Sequence, residues 1–209
     1  DNAYWNKSNV TISADSTTAP DGNTTADKYI TTSTSSSYLS VNPSLTVGQT
    51  YTVSVFAKAG DVNWVRITNQ SSGSSGGWFN LTDGTLGTSN GASNVSTITD
   101  EGDGWYRCKR KFASVVAGAN QVLIAESDGD ASSTASGSSK FIYLWGAQVE
   151  KAASATTYLP TTTAALVGLT GVTRGVNGTT ATLATSGDDI QQLPYALSEV
   201  DMPIRLKGI

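Results

Sequence analysis

Hydrophobic and polar residues alternate along short runs of this chain, and clusters of Gly, Ser, Asn and Asp separate the runs. In Tyr51-Thr52-Val53-Ser54-Val55-Phe56-Ala57-Lys58, Tyr51, Val53, Val55 and Ala57 fall on one face and Thr52, Ser54 and Lys58 on the other. A period of two is the signature of a half-buried β-strand. Phe56 interrupts the polar face and is expected to lie under a loop. Residues 64–68, 78–81, 105–112, 121–125 and 141–149 read as further strands. Asp83-Gly84, directly after Leu81 and Thr82, marks a tight turn. Helical periodicity is nearly absent, with one weak candidate at 197–200. Short strands spaced by turn signals predict an all-β sandwich or barrel.

Three stretches read as loops: 15–25, 70–77 and 127–139, the last rich in Ser, Gly and Asp. Such loops sit at the rim of a rigid sandwich, where recognition often occurs. The step Tyr158-Leu159-Pro160-Thr161-Thr162-Thr163 reads as an exit from the domain. Residues 1–161 therefore form one domain and 162–209 a C-terminal extension of small and β-branched residues, expected to form two or three strands. A segment this short rarely builds a core alone. It is expected to pack on the sandwich, on another copy or in a larger assembly.

Composition narrows the function. The chain has 209 residues, enough for a core without metal or disulfide staples, and only 14% of them are charged. A net charge of −4 and a pI near 4.7 argue against nucleic-acid binding, which needs a basic surface. The one basic cluster, Arg107, Lys109, Arg110 and Lys111, lies in a strand-like run and reads as a solvated sheet face. The single Cys108 cannot form an intramolecular disulfide and reads as a small buried hydrophobe. No apolar run is long enough for membrane insertion, and no signal peptide is visible. The start at Asp1 suggests a processed or truncated N-terminus. With no His in the chain, Ser–His and Cys–His dyads and His-based zinc sites are excluded. A glycosidase would need two carboxylates across a cleft, and nothing in the sequence sets Glu126 opposite Glu150. The chain is read as non-enzymatic.

A series of motifs then points to a family. In order they are Ala19-Pro20-Asp21-Gly22 with Ala26-Asp27, Gly48-Gln49-Thr50-Tyr51-Thr52-Val53-Ser54-Val55-Phe56-Ala57-Lys58-Ala59, and Phe79-Asn80-Leu81 with Gly84-Thr85. Gly102-Asp103-Gly104-Trp105-Tyr106-Arg107-Cys108, Trp145-Gly146-Ala147-Gln148-Val149-Glu150 and Tyr158-Leu159-Pro160-Thr161 follow. From about Trp5 to Thr161 this series resembles the carbohydrate-binding-module-like jelly-roll domain of bacteriophage tail-fibre and head-decoration proteins. The resemblance implies an antiparallel jelly-roll β-sandwich, here with a short C-terminal β-rich extension. It also implies a virion-surface or extracellular location and a fibre or capsid-decoration role in host-surface glycan attachment or display. Proteins of this kind are usually homo-oligomers, most often trimers, and the extension is then expected to contact other virion proteins. Two alternatives are a glycan-binding accessory module of a secreted polysaccharide-degrading enzyme and a purely structural capsid cement or spacer.

Alternation also nominates a site. With Val65, Ile67, Phe79 and Leu81 turned inward, Trp64, Arg66, Trp78 and Asn80 turn outward. If their strands share a sheet, the four form an exposed aromatic–polar patch suited to a sugar's C–H faces and hydroxyls. The competing reading packs these tryptophans under loops or against a sister subunit. Trp105 and Trp145 read as core, with Trp145, Ala147 and Val149 on one face and Gln148 and Glu150 on the other. A structural calcium is the one candidate cofactor, with Asp21, Asp27 and Glu150 as oxygen ligands. The acidic loop Asp128-Gly129-Asp130 is a second candidate, and turn formation is the competing role of these Asp residues.

Overall fold

The computed structural model describes residues 5–70, 75–91 and 94–158. The described strands are β1 (Asn6–Ser8), β2 (Val10–Thr18), β3 (Thr24–Thr31), β4 (Tyr38–Val41), β5 (Ser44–Leu45), β6 (Thr50–Ala59) and β7 (Trp64–Asn69). They continue as β8 (Ser75–Asn80), β9 (Thr85–Ser89), β10 (Val95–Asp100), β11 (Trp105–Ala113), β12 (Gly118–Ala119), β13 (Val122–Ser127) and β14 (Phe141–Glu150). No helix occurs among the described residues.

Two six-stranded sheets stack face to face. Sheet A runs β1-β4-β13-β7-β8-β9 and sheet B runs β10-β11-β6-β14-β3-β2. All strand pairings among the described residues are antiparallel, and β5 and β12 form a small third sheet. The chain crosses between the two large sheets after β1, β3, β6, β9 and β13, and by way of β5 and β12, and the last two strands insert between earlier ones. β13 lies between β4 and β7, and β14 lies between β3 and β6. This is the antiparallel jelly-roll sandwich expected from the sequence.

The core forms where the inward faces meet. Tyr51, Val53, Val55 and Ala57 of β6 enter it, as their alternation predicts. Opposite them on β11 stand Phe112, Arg110, Cys108 and Tyr106. Sheet A contributes Val65 and Ile67 of β7, Phe79 of β8, and Val122 and Ile124 of β13. Each fully buried side chain of this size is worth about 1.5–3 kcal/mol, so the interdigitated faces hold the two sheets together. Tyr51 and Phe112 stack with ring centroids 6.0 Å apart. Cys108 is buried and free, and burial pushes its thiol pKa up, so it is an inert part of the core.

Arg110 shares that inward face, contrary to the reading of the whole basic run as solvated. It is fully buried at the open edge between β9 and β10. Its guanidinium donates to Asn69 Oδ1 (3.0 Å), Ser96 Oγ (3.1 Å), Ser89 Oγ (3.4 Å) and the Asn90 carbonyl (2.8 Å). Burial lowers its pKa to about 10. Four neutral acceptors from both sheets thus replace water around one cation.

Other expectations shift in detail. The segment 15–25 is mostly strand: β2 runs through Asp15 with an irregular register, leaving only a turn at 19–23. Ser75, Gly76 and Gly77 open β8 rather than lying in a loop. The glycines are needed there because a Cβ on Gly77 would run into Ser96 and crowd Arg110. Asp83-Gly84 forms the expected turn, with Gly84 at φ +69. The extension 162–209 and the helix candidate at 197–200 lie outside the described residues.

Candidate functional site

The outer face of sheet A carries the residues nominated by alternation. Trp64 pairs with Asn80 and Arg66 with Trp78, so all four side chains share one face across β7 and β8. The patch is not open, however. The 127–139 connection folds over it, and Arg66 and Trp78 are each only 6% exposed. Trp78 Nε1 donates to the Ser132 carbonyl, and Arg66 Nη2 donates to the Ser133 carbonyl at 3.3 Å. Burial lowers the Arg66 pKa, opposed by nearby Tyr29 and Glu126. Trp64 stays partly exposed but lies so close to Gly87 that a Cβ there would meet its ring at 2.6 Å. Asn80 is partly buried, and its Oδ1 accepts the Thr82 N–H at 2.9 Å.

The covering segment is fastened at both ends. Asp130 accepts the Thr88 N–H at 2.6 Å and the Thr88 hydroxyl at 3.0 Å, tying the loop to β9. Glu126, at the end of β13, accepts the Ser136 N–H at 3.1 and 3.2 Å and the Ser136 hydroxyl at 2.8 Å. Burial raises the Glu126 pKa, and the Ser136 hydrogen bonds oppose that rise without cancelling it. Asp130 of the acidic loop therefore serves as a loop fastener.

The calcium trio is not assembled. Asp21 caps its own turn by accepting the Asn23 N–H at 3.0 Å, and Asp27 accepts the Asp15 N–H at 3.2 Å. Glu150 is buried at the far end of β14, accepting from Thr156 N–H (3.2 Å) and Gln148 Nε2 (2.7 Å). Asp27 pairs with Leu144, and Glu150 lies six residues further along β14, so roughly 20 Å separates them. Among the described residues no three acidic, Cys or His side chains gather in a way that could hold a metal.

The outer face of sheet B is different. A bulge between Trp145 and Gln148, with Gly146 at φ +61, reverses the parity of β14. Trp145 therefore faces outward opposite Phe56, while Val149 pairs with inward Val53. This corrects the grouping of Trp145 with Ala147 and Val149, because a strict period of two ignores the extra bulge residue. The outcome is an aromatic at every second position before the bulge: Phe141, Tyr143 and Trp145, all partly exposed.

Half of this face is closed by residues 151–158. Thr52 Oγ1 donates to the Ala152 carbonyl at 2.8 Å, and Arg107 Nη2 donates to the Thr156 carbonyl. Tyr158 packs against Trp145 (4.6 Å) and Phe56 (6.4 Å), filling the space a Gly146 side chain would occupy. Phe56 thus lies under a covering segment, as its place in the pattern suggests. Trp105 is buried on the same side, where its Nε1 donates to the Thr18 carbonyl at 3.1 Å.

Among the described residues the other half is partly exposed, except at Trp105. Register aligns Lys28 of β3, Tyr143 of β14, Lys58 of β6 and Trp105 of β11 in one row. Lys28 and Lys58 flank Tyr143, one strand spacing of about 4.8 Å away on each side. Lys28 Nζ sits 3.6 Å from the Phe141 ring centroid, and Lys58 Nζ donates to the Asp103 carbonyl at 2.7 Å. Phe141 meets Tyr143 edge-on at 5.4 Å, and Trp145 is steadied by a hydrogen bond from its Nε1 to Thr25 Oγ1 at 3.1 Å. Sequence reasoning passed over Lys28, Lys58, Phe141 and Tyr143. The signal available was Phe141-Ile142-Tyr143-Leu144-Trp145, a strand apolar on both faces whose outer positions are all aromatic.

No protein-family model matches the chain, and no curated protein matches it in sequence. One solved structure, described as "CBM4 structure and function", is similar over 62% of this chain and 70% of its own, with 18% identity and a TM-score of 0.35.

Proposed function

We propose that this chain is a non-catalytic, glycan-recognising β-sandwich displayed on a virion surface as part of a fibre or capsid decoration. The carrying observation is the partly exposed half of sheet B's outer face, where Tyr143 and its aromatic neighbours stand among hydrogen-bonding side chains. Aromatic planes take the apolar face of a sugar ring, and rigid strands hold those planes at fixed spacing. The virion setting is supported by the ordered motif series between Trp5 and Thr161. The same site fits an accessory module of a polysaccharide-degrading enzyme, and the neighbouring genes distinguish the two settings. A glycan-array screen of the wild-type chain beside Tyr143→Ala tests the binding reading. Hits that vanish in Tyr143→Ala support it, and an array without hits refutes it.

One observation favours a second reading, a structural cement or spacer. Val47, Val115 and Val116 are 55%, 62% and 43% exposed in two adjoining loops at one end of the sandwich. The Gly48 N–H donates to the Ser114 carbonyl at 2.8 Å and holds those loops together. Exposed apolar groups collected at one end suit protein–protein assembly, including the homotrimer and virion contacts expected from the sequence. Light scattering of the wild type and Val115→Ser tests this. A trimer that dissociates in the variant supports assembly through this end, and a monomer at all concentrations opposes it.

A further inference from the structure

The charge on sheet B's outer face runs against the charge of the whole chain. Alternate positions place Lys28, Lys58, Arg107, Lys109 and Lys111 on that face, while Glu150 is the carboxylate among the same positions of β3, β6, β11 and β14. Glu150 is buried and engaged by Thr156 and Gln148, and Arg107 is held by Thr156 and Ser54 beneath the 151–158 cover. In the partly exposed half, Lys28 and Lys58 remain, and among the described residues neither is held by a carboxylate. Their contacts are an aromatic ring and a backbone carbonyl, both of which an anion can supplement without displacing a salt bridge. Carboxylates border the strip on two sides: the turn at Asp100, Glu101 and Asp103 adjoins Lys58, and Asp21 and Asp27 lie close enough to Tyr158 to raise its pKa.

We propose that this strip binds an anionic polysaccharide, with Tyr143 stacking on a sugar ring and Lys28 and Lys58 each meeting an acidic substituent. This rests on the glycan-recognition reading and adds the charge class of the ligand. Backbone to backbone, Lys28 and Lys58 are two strand spacings apart, about 9–10 Å, with Tyr143 on the strand between them. A neutral glycan would use the plane and leave two ammonium groups without an anionic partner. On a chain of net charge −4, a strip with two lysines and an aromatic plane favours one docking position for an acidic polymer.

The test measures binding of the full chain to polygalacturonate, its fully methyl-esterified form, dextran sulfate, dextran and oligo(dT). Polygalacturonate or dextran sulfate is expected to bind at least about tenfold more tightly than its neutral counterpart. Which of the two binds better reports whether carboxylate or sulfate is preferred. Lys28→Gln and Lys58→Gln are each expected to weaken the acidic probe by about tenfold, the loss of one charge-assisted contact, with Tyr143→Ala weakening it further. Lys7→Gln removes the same charge from sheet A and is expected to change nothing. Raising salt from 50 to 300 mM is expected to weaken the wild type more than either lysine variant. Equal binding of acidic and neutral probes, lost only in Tyr143→Ala, would overturn the anionic class while keeping glycan recognition. Absence of binding to all four polysaccharides would overturn both readings, as would tighter binding of oligo(dT).

Discussion

The two outer faces of this sandwich start from similar sequence and end in opposite states. Each offers tryptophan and arginine at outward positions: Trp64, Arg66 and Trp78 on sheet A, and Trp105, Arg107 and Trp145 on sheet B. On sheet A the 127–139 loop offers backbone carbonyls to the Trp78 indole and to Arg66 Nη2 and closes the face, while Arg66 Nε stays buried without an acceptor. On sheet B the 151–158 segment likewise meets Arg107, while among the described residues Tyr143, Lys28 and Lys58 stay partly exposed. An outward position on a strand is thus open surface only where no connection crosses it. Whether one does depends on the path of a distant loop, which local alternation does not encode.

The sharpest way to break this comparison is by stability. Trp78→Ala is expected to cost about 3–5 kcal/mol, the range for truncating a buried aromatic. Tyr143→Ala should stay within about 1 kcal/mol, since its ring is partly exposed. Urea denaturation of both variants checks this, and equal losses would mean that the two faces are equally covered. Arg107→Met comes next, at roughly 2–3 kcal/mol, because it leaves the Thr156 carbonyl and buried Glu150 without their cation. Limited proteolysis should then cut near residues 151–158 in the variant and not in the wild type.

A smaller change sharpens the contrast on sheet A. Asp130→Ala removes the Thr88 fastening and is expected to cost about 1 kcal/mol. Acrylamide should then quench the tryptophans more strongly, as the loop loosens over Trp64 and Trp78. The smallest effect concerns pH. Burial raises the Glu126 pKa above its unfolded value, so the folded state prefers the protonated acid. Its favourable contribution is present below the ordinary carboxylate range and is lost as pH rises through the raised value. Glu126→Gln should therefore be the more stable protein at pH 7, with the advantage shrinking as pH falls toward 4. Thermal melts of the two proteins across that range measure the difference, and a gap that widens at low pH would contradict the assignment.

Much of the fold was legible because the inner faces obey a simple rule. Tyr51, Val53, Val55 and Ala57 had one side on which to bury apolar area, and the structure uses it. Phe56 announced the covering of sheet B, since an aromatic among polar positions needs shelter. Three things escaped. The bulge at Gly146 moved Trp145 to the outer face, and one extra residue is invisible to a period-two count. Arg110 turned inward because Asn69, Ser89, Asn90 and Ser96 converge from segments up to 41 residues away. The Lys28–Tyr143–Lys58 row depends on register among three strands that are far apart in the chain, which alternation within one strand cannot supply.

The central claim is that recognition occurs on the partly exposed half of sheet B. Amide hydrogen exchange, with and without a polysaccharide that binds, tests it most directly. The account predicts new protection at residues 28–30, 57–59 and 141–145, with none at 64–66 or 132–135. Protection confined to 64–66, 78–80 and 132–135 would place the site on sheet A and contradict it.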